Sequence, residues 1–500
     1  MEELQPIRQD ERKLIFDNDN IASLIEQLKD GRLTELPNVE ELEKQYYVEN
    51  HDVFDKAKRK DKPKKKKTKR TVKKTQPDPN GGPDIEVDVE EEIVIDDGVT
   101  PVNRIGLSQQ KKIVNQAVAF TAGNPVQLTS NPKGEKETLV YDYVLDIFED
   151  NKIDSFNRKL CRSIFAFKEA AECWYHIKGS DGNWKLRVML FAPQLGDTLY
   201  PYFDDFNDMV AFSREYKVTR NNELGKSETI QYFTTYTSDM IYYFQEDGGS
   251  YKLIGTDTVA VGKIQIIYGW QELAEYEDVN PLIARREKLR SNFGDTNDYH
   301  ASPKTVAEGK VLNFTEKEEA GGIIQLENGA KVSLLTWDQA PEAIKLEDEL
   351  LNNDIHALTD TADLSFNNLK SLGGISGETL RRLLTAPILK VYEKKEYLDE
   401  YMQRRVNLVK AYVGVIYPEL KEAAKTLRIK AEIVPLQLED YDEEIDRLKK
   451  ENGGKALISQ IESVRQYMTK KGGNNEDADR IYEEIKDESA SGFIEDTYQV

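Results

Sequence analysis

The sequence predicts an α+β protein in which a strand-rich, aromatic region gives way to long amphipathic helices. Three observations carry this expectation. Runs rich in aromatic and β-branched residues, set apart by turn signals such as SDGN and EDGG, fill residues 174 to 270. From Asn280 onward the apolar residues recur at helical spacing instead. The 500 residues are 39% hydrophobic and 32% charged, enough to bury a sizeable core and longer than one core usually organises.

The first fifty residues read as helical and end in the aromatic pair of LEKQYYVENHDVF. A basic tract follows. Residues 56 to 74 carry thirteen Lys or Arg against one Asp, so with a net charge of −22 the rest of the chain is strongly acidic. Such a body repels nucleic acid at long range. The tract, the breakers of TQPDPNGGP and the acidic DIEVDVEEEIVIDD read as an inserted, largely mobile segment. Two alternatives stay open there: an edge strand in the acidic part, or the acidic part folding back on the basic one.

Helical patterns are expected over 107 to 120 and 138 to 172. Strands are expected at WYHIKG, WKLRVMLFAP, TIQYFTTYT, MIYYFQE and KIQIIYGW. Asn280 and Pro281 form a cap and first-turn pair for a helix over 280 to 299, in which Leu282, Leu289 and Phe293 recur. Short strand-like pieces, KVLNF and GGIIQLENGAKVSLLTW, precede a second helix from about 341. That helix has Ile344, Leu351, Ile355 and Leu358 on one stripe. A long helix opens at Ser376, its N-cap, with Glu378 in the first turn and an expected kink at Pro387. RIKAEIVPL reads as a strand, and the charge-rich C-terminal region as helical.

Catalytic constellations are sparse. The GKS at Gly225 to Ser227 lacks the partner glycine of a phosphate loop, since position 220 is Arg220. His51, His176, His300 and His356 are scattered without metal-ligand spacing. Asp204, Asp205 and Asp208 could hold metal ions as in a nuclease, but neighbouring acids are expected by chance among 91 carboxylates. Cys161 and Cys173 read as reduced, partly buried thiols. No cofactor is expected, nor a membrane-spanning segment or signal peptide, so the chain is expected to remain in the cytoplasm.

Several separated segments, in order, resemble the portal proteins of long-tailed bacteriophages. Tyr46, Tyr47 and His51 look like the early YY…H element of that family. Asn103, Arg104, Ile113, Val114, Phe120, Gly123, Asn124, Pro125 and Val126 look like its NR…IV…F..GNPV element. LFAPQLGDTLYPYFDD is similar to its proline turn before the wing strands. EYEDVNPLIARREKLRSNFGDTNDY and PEAIKLEDELLNNDIHALTDTADLS resemble its two stem helices. SFNNLKSLGGISGETLRRLL resembles the tunnel loop and the start of the helix after it, with Gly373, Gly374, Ser376 and Gly377 matching GG.SG. The family usually joins YY…H to NR by a short connection, so no role carries over to the insertion.

The resemblance implies a portal fold with an α/β wing, two-helix stem, small β-containing clip, long kinked helix and helical crown. Its segments here are 1–55 (N-terminal helical part of the wing), 56–102 (mobile insertion) and 103–279 (wing). They continue as 280–302 (first stem helix), 303–340 (clip), 341–364 (second stem helix) and 365–375 (tunnel loop). The long helix and return to the wing take 376–438, and the crown 439–500. The resemblance also implies a dodecameric ring in the virion at one capsid vertex, assembled in the host cytoplasm. Its partners would be double-stranded DNA in the channel, the terminase large subunit, a head-completion or adaptor protein, the major capsid protein and scaffold. The chain itself would not be an enzyme.

The candidate channel contacts are Asn367, Asn368, Lys370, Gly373 and Gly374 in the tunnel loop, the alternative being a simple connector before Ser376. Glu347, Asp348 and Asp354 are candidate acidic belts, the alternative being packing or salt bridges between subunits. Lys64, Lys65, Lys66, Lys67, Lys69 and Arg70 are candidate contacts to nucleic acid or an acidic partner, or an intramolecular counterweight to 84–97. Two other classes compete: a nucleic-acid-binding protein acting through the lysine tract, and a metal-dependent nuclease.

Overall fold

The computed structural model describes residues 20–76, 85–180, 182–221, 227–300, 304–308, 311–313, 325–326, 331–335, 340–365, 381–436, 450–451, 459–470 and 475–490. The chain divides into two units, Met1–Asn368 with Leu384–Leu436, and Leu369–Leu383 with Gln437–Val500.

The first unit begins with α1 (Ile21–Asp30) and α2 (Val39–Tyr46). Asn38 caps α2 by accepting the Glu41 N–H, and Glu40 and Glu41 complement the positive end of its dipole. β1 (Lys62–Gln76) and β2 (Ile85–Thr100) follow, then α3 (Gln109–Ala122), β3 (Gln127–Ser130), α4 (Glu135–Asp150) and α5 (Ile153–Phe167). Eight strands come next: β4 (Glu169–Lys178), β5 (Trp184–Phe191), β6 (Thr198–Phe203), β7 (Met209–Asn221), β8 (Ser227–Tyr236), β9 (Met240–Asp247), β10 (Ser250–Thr258) and β11 (Ile266–Trp270).

These eight strands make two antiparallel sheets, one ordered β10-β9-β8-β7-β6 and one ordered β11-β4-β5. The faces between them form a core of Ala171, Cys173, Phe191, Leu199, Phe212, Tyr236, Ile241 and Tyr268. A second cluster packs Leu24, Ile25 and Leu28 of α1 on Tyr200, Tyr202, Ala211, Phe233 and Phe244. Alternation along β6 to β9 serves both clusters, because successive side chains point to opposite faces. Every strand expected between 174 and 270 is present, with β6, β7 and β10 in addition. Pro201 is tolerated in β6 because that strand is at the sheet edge.

α6 (Asn280–His300) and α7 (Ala340–Leu358) flank β12 (Lys304–Glu308), β13 (Val311–Asn313), β14 (Gln325–Leu326) and β15 (Lys331–Leu335), paired as β12·β15 and β13·β14. α8 (Thr385–Ile416) buries Leu398, Tyr401, Met402, Arg405, Val406, Val409, Tyr412 and Val413 against α3, α4 and β11, and against β16 (Ile429–Glu432), which follows the short α9 (Lys421–Thr426). β16 pairs with β3 just after the GNPV segment, where Asn124 Nδ2 donates to the Pro435 carbonyl. Arg405 is fully buried on Glu172 of β4, with Nε to Oε1 at 2.9 Å and Nη2 to Oε2 at 2.6 Å; its Nη1 donates to Asn157 of α5. In the second unit, α10 (Gln460–Lys470) and α11 (Asn475–Ala490) are tied by Arg465 and Asp479 at 2.9 Å.

Some expectations change. Residues 62–76 and 85–100 form a long antiparallel hairpin where a largely mobile segment is expected. Opposite charges face each other across the strands, so the acidic part folds back on the basic one and is at the same time an edge strand of this two-stranded sheet. The long helix is interrupted at Leu384, after helical residues 381–383 and within one turn of the expected kink at Pro387. Pro387 lacks the N–H that would bond to the Leu383 carbonyl; in the first turn of α8 no donor is lost. The expected cap at Ser376 lies outside the described residues. Cys161 and Cys173 are fully buried rather than partly so, and burial pushes both thiols up to about 12.

Candidate channel-facing site

α6 is held on two sides by two different polar devices. On one side, residues 103 to 107 run antiparallel to it. The Leu107 N–H donates to Glu287 Oε1 (2.7 Å), the Ile105 N–H to Ser291 Oγ (2.9 Å) and the Asn103 N–H to Asp295 Oδ1 (2.6 Å). Two residues of extended chain advance about 6.6 Å and four residues of helix about 6.0 Å, so alternate backbone donors meet every fourth helix residue. Asn103 Nδ2 adds a bond to Asp298. Gly294 lies beneath this crossing, where a Cβ would stand 3.3 Å from Asn103.

The YY…H and NR elements of the resemblance converge here. Arg104 donates to Asp61 and to the Arg59 carbonyl, while Arg59 spans Asn292, Asp295 and the Asn103 carbonyl. His51 joins Glu287 through Nδ1 at 2.7 Å and the Gln45 carbonyl through Nε2 at 2.8 Å. Burial disfavours the charged imidazole, but the hydrogen bond and charge of Glu287 outweigh it and raise the His51 pKa above its ordinary value.

On its other side α6 presents arginines to α7. Arg286 and Arg290 both clasp Asp348, with Nε to Oδ1 at 2.8 Å in each case. Arg286 also reaches Gln109 and Asn352, and Arg285 holds Glu347 at 2.6 Å. Burial of Asp348 opposes ionisation, yet hydrogen bonds from Arg290 and Arg286 hold its carboxyl well below the usual range.

Glu347 and Asp348 are therefore ion-paired within their own chain. Asp354 is exposed and pairs with no described residue. Sequence reasoning selected the acids but missed the arginine partners. The i, i+4 spacing of Arg286 and Arg290 was visible, whereas their partners lie about sixty residues away. Asn367, Asn368, Lys370, Gly373 and Gly374 lie outside the described residues.

The lysine tract forms β1, so its nine basic residues stand beside seven acidic residues on β2. Lys64 pairs with Asp97 (3.0 Å), Lys67 with Glu92 (3.6 Å), Lys69 with Glu90 (3.0 Å), and Lys74 with Glu91. Lys65, Lys66 and Arg70 make no close ion pair with a described residue, although Lys65 stands opposite Asp96 and Arg70 opposite Glu91. At the hairpin root Lys62 reaches Asp295 of α6 at 3.7 Å.

Among the described residues no group of three or more His, Cys, Asp or Glu is placed to hold a metal ion. Asp204 Oδ1 is engaged by the N–H groups of Phe206 and Asp208, which makes the first expected acidic cluster a turn. Among those residues, too, no helix is long and apolar enough to cross a membrane.

α6 and α7 are thus paired through polar contacts, with small paired strands between them in the chain. The chain matches the sequence model of the family described as "Phage portal protein, SPP1 Gp6-like" over residues 25–491. It belongs to that family and is a phage portal protein. No curated protein matches it. Among solved structures it is similar to a chain in the "Neck of empty GTA particle computed with C6 symmetry", at 12% identity and TM-score 0.41, covering 72% of this chain and 88% of that one. It is also similar to chains in the "Virion of native gene transfer agent (GTA) particle" and the "Neck of native GTA particle computed with C12 symmetry". Identity and coverage are the same for both (12%, 72% and 88%), with TM-scores of 0.37 and 0.38. Likenesses this loose add nothing to the family match.

Proposed function

We propose that copies of this chain form a closed ring at one capsid vertex, with α6 and α7 as the stem around a channel for double-stranded DNA. The family match over residues 25–491 carries this reading. Residues 303–340 act as the clip, which receives the terminase large subunit during packaging and a head-completion protein afterwards. The wing, 103–279, meets the major capsid protein and scaffold. The ring is dodecameric, and the chain has no catalytic role.

Within the channel, Asp354 is the favoured acidic belt, because Glu347 and Asp348 are already neutralised by arginines of the same chain. Ring symmetry multiplies one carboxylate into a belt, and a wall of the same sign as DNA disfavours sticking. Residues 365–375 form the tunnel loop, with Lys370 touching phosphates and Gly373 and Gly374 allowing backbone angles that other residues avoid. The arginine clasps keep the two stem helices from sliding past one another as DNA moves. Particles assembled without this chain are expected to be empty of DNA; DNA-filled particles formed in its absence would contradict the conduit role.

A further inference from the structure

The β1·β2 hairpin is the part of the molecule that the portal reading does not use. Its strands of 15 and 16 residues are about 50 Å long at about 3.3 Å per residue. Among the described strands they pair only with each other, which leaves one open backbone edge on each. A two-stranded ribbon is marginal alone in water, and an open edge is a template for another strand. Val94, Ile95 and Val99 are exposed along β2.

The unspent charges say which strand fits. β1 keeps Lys65, Lys66 and Arg70, and β2 keeps Asp88 and Asp96, outside any close ion pair with a described residue, although Lys65 stands opposite Asp96, Arg70 opposite Glu91 and Asp88 opposite Lys73 in the register. A β1 edge repels a second β1 edge and a β2 edge repels a second β2, so only β1 against β2 is complementary. DNA is the poorer occupant, because the acidic strand runs beside the basic one along its length and cancels most of its field.

We propose that the open edge of β1 docks on the open edge of β2 from a second copy of this chain. Hairpins of successive copies then join into an antiparallel collar of alternately basic and acidic strands. The proposal rests on the ring reading above. Around a rotation axis every β1 runs one way and every β2 the other, so a head-to-tail contact is antiparallel at each step and closes with the ring.

The test compares ring yield, by mass photometry and negative-stain imaging, for the full chain and two charge-reversed forms. One carries Lys65→Glu, Lys66→Glu and Arg70→Glu; the other carries Asp88→Lys and Asp96→Lys. Each alone meets its own copies with like charges and is expected to form rings about tenfold less well. Mixed before assembly, each offers the other a complementary edge, and ring yield is expected to return. Deleting 62–100 is expected to lower the yield to a similar degree, without relying on a reversed hairpin folding. Normal rings from any of the three, or no recovery on mixing, would overturn the collar. So would rings that form normally while the first variant loses DNA binding, which would assign the lysines to phosphate. Absence of rings from the unaltered chain, even with scaffold and capsid proteins added, would refute the ring reading itself; unaltered rings with unaffected variants would refute the collar alone.

Discussion

Asp348 of α7 ties that helix to α6 through two guanidinium groups at once, and it is 21% exposed. Asp348→Asn leaves Arg286 and Arg290 facing a neutral amide and is expected to cost about 1–3 kcal/mol in urea denaturation. The pH dependence has a definite sign. Its folded pKa lies below the unfolded one, so its contribution is complete above the ordinary value of 3.8 and is lost as pH falls through the folded value. The variant should lose that acid-side slope. His51 works in the opposite sense: its folded pKa is raised above 6.5, so its contribution is complete below 6.5 and is lost as pH rises through the folded value. Stability of His51→Gln, followed from pH 6.5 upward, is expected to change less with pH than that of the unaltered protein. At this scale the sequence showed which side chains carry charge but not what each faces. Arg286 and Arg290 share a helix face in the pattern itself, yet the acid they hold is found only once α7 folds back beside α6.

The helices announced themselves by period and cap. The expected 280–299 became Asn280–His300 and the expected start near 341 became Ala340. The extended ladder beside α6 was not legible, because Asn103 and Asp295 are 192 residues apart and a side-chain-to-backbone pairing leaves no periodic trace. That ladder makes Gly294 a sharp probe. Alanine favours a helix by up to about 1 kcal/mol over glycine. Here, however, a Cβ meets Asn103, which two hydrogen bonds pin in place. Gly294→Ala is expected to lower the melting temperature, and a rise would show that the crossing has slack. The hairpin was half legible: the charges of both strands were plain, but the breakers of TQPDPNGGP argued against order, and the cross-strand pairing depends on register. α8 offers the strongest element-scale test. Glu172→Gln leaves the Arg405 guanidinium buried without its counter-charge, and a loss of about 3–5 kcal/mol is expected by chemical denaturation.

For the molecule as a whole, the order of elements carried most of the information. An aromatic strand-rich region, two helices around small strands, then a long helix containing a proline were all visible in the chain. Each is local, and their succession matched a known family. Sheet order was less accessible, since β11 pairs with β4 across nearly a hundred residues and β16 with β3 across three hundred, distances at which strand pairing follows from packing rather than pattern. Assembly is likewise a property of surfaces. The central claim is that this chain builds a ring around a DNA channel, and negative-stain imaging of the purified full chain tests it most directly. The prediction is closed rings with an axial hole, formed by the chain alone or on adding scaffold and capsid proteins. Compact particles without a hole, or a chain that stays monomeric with those proteins present, would contradict it.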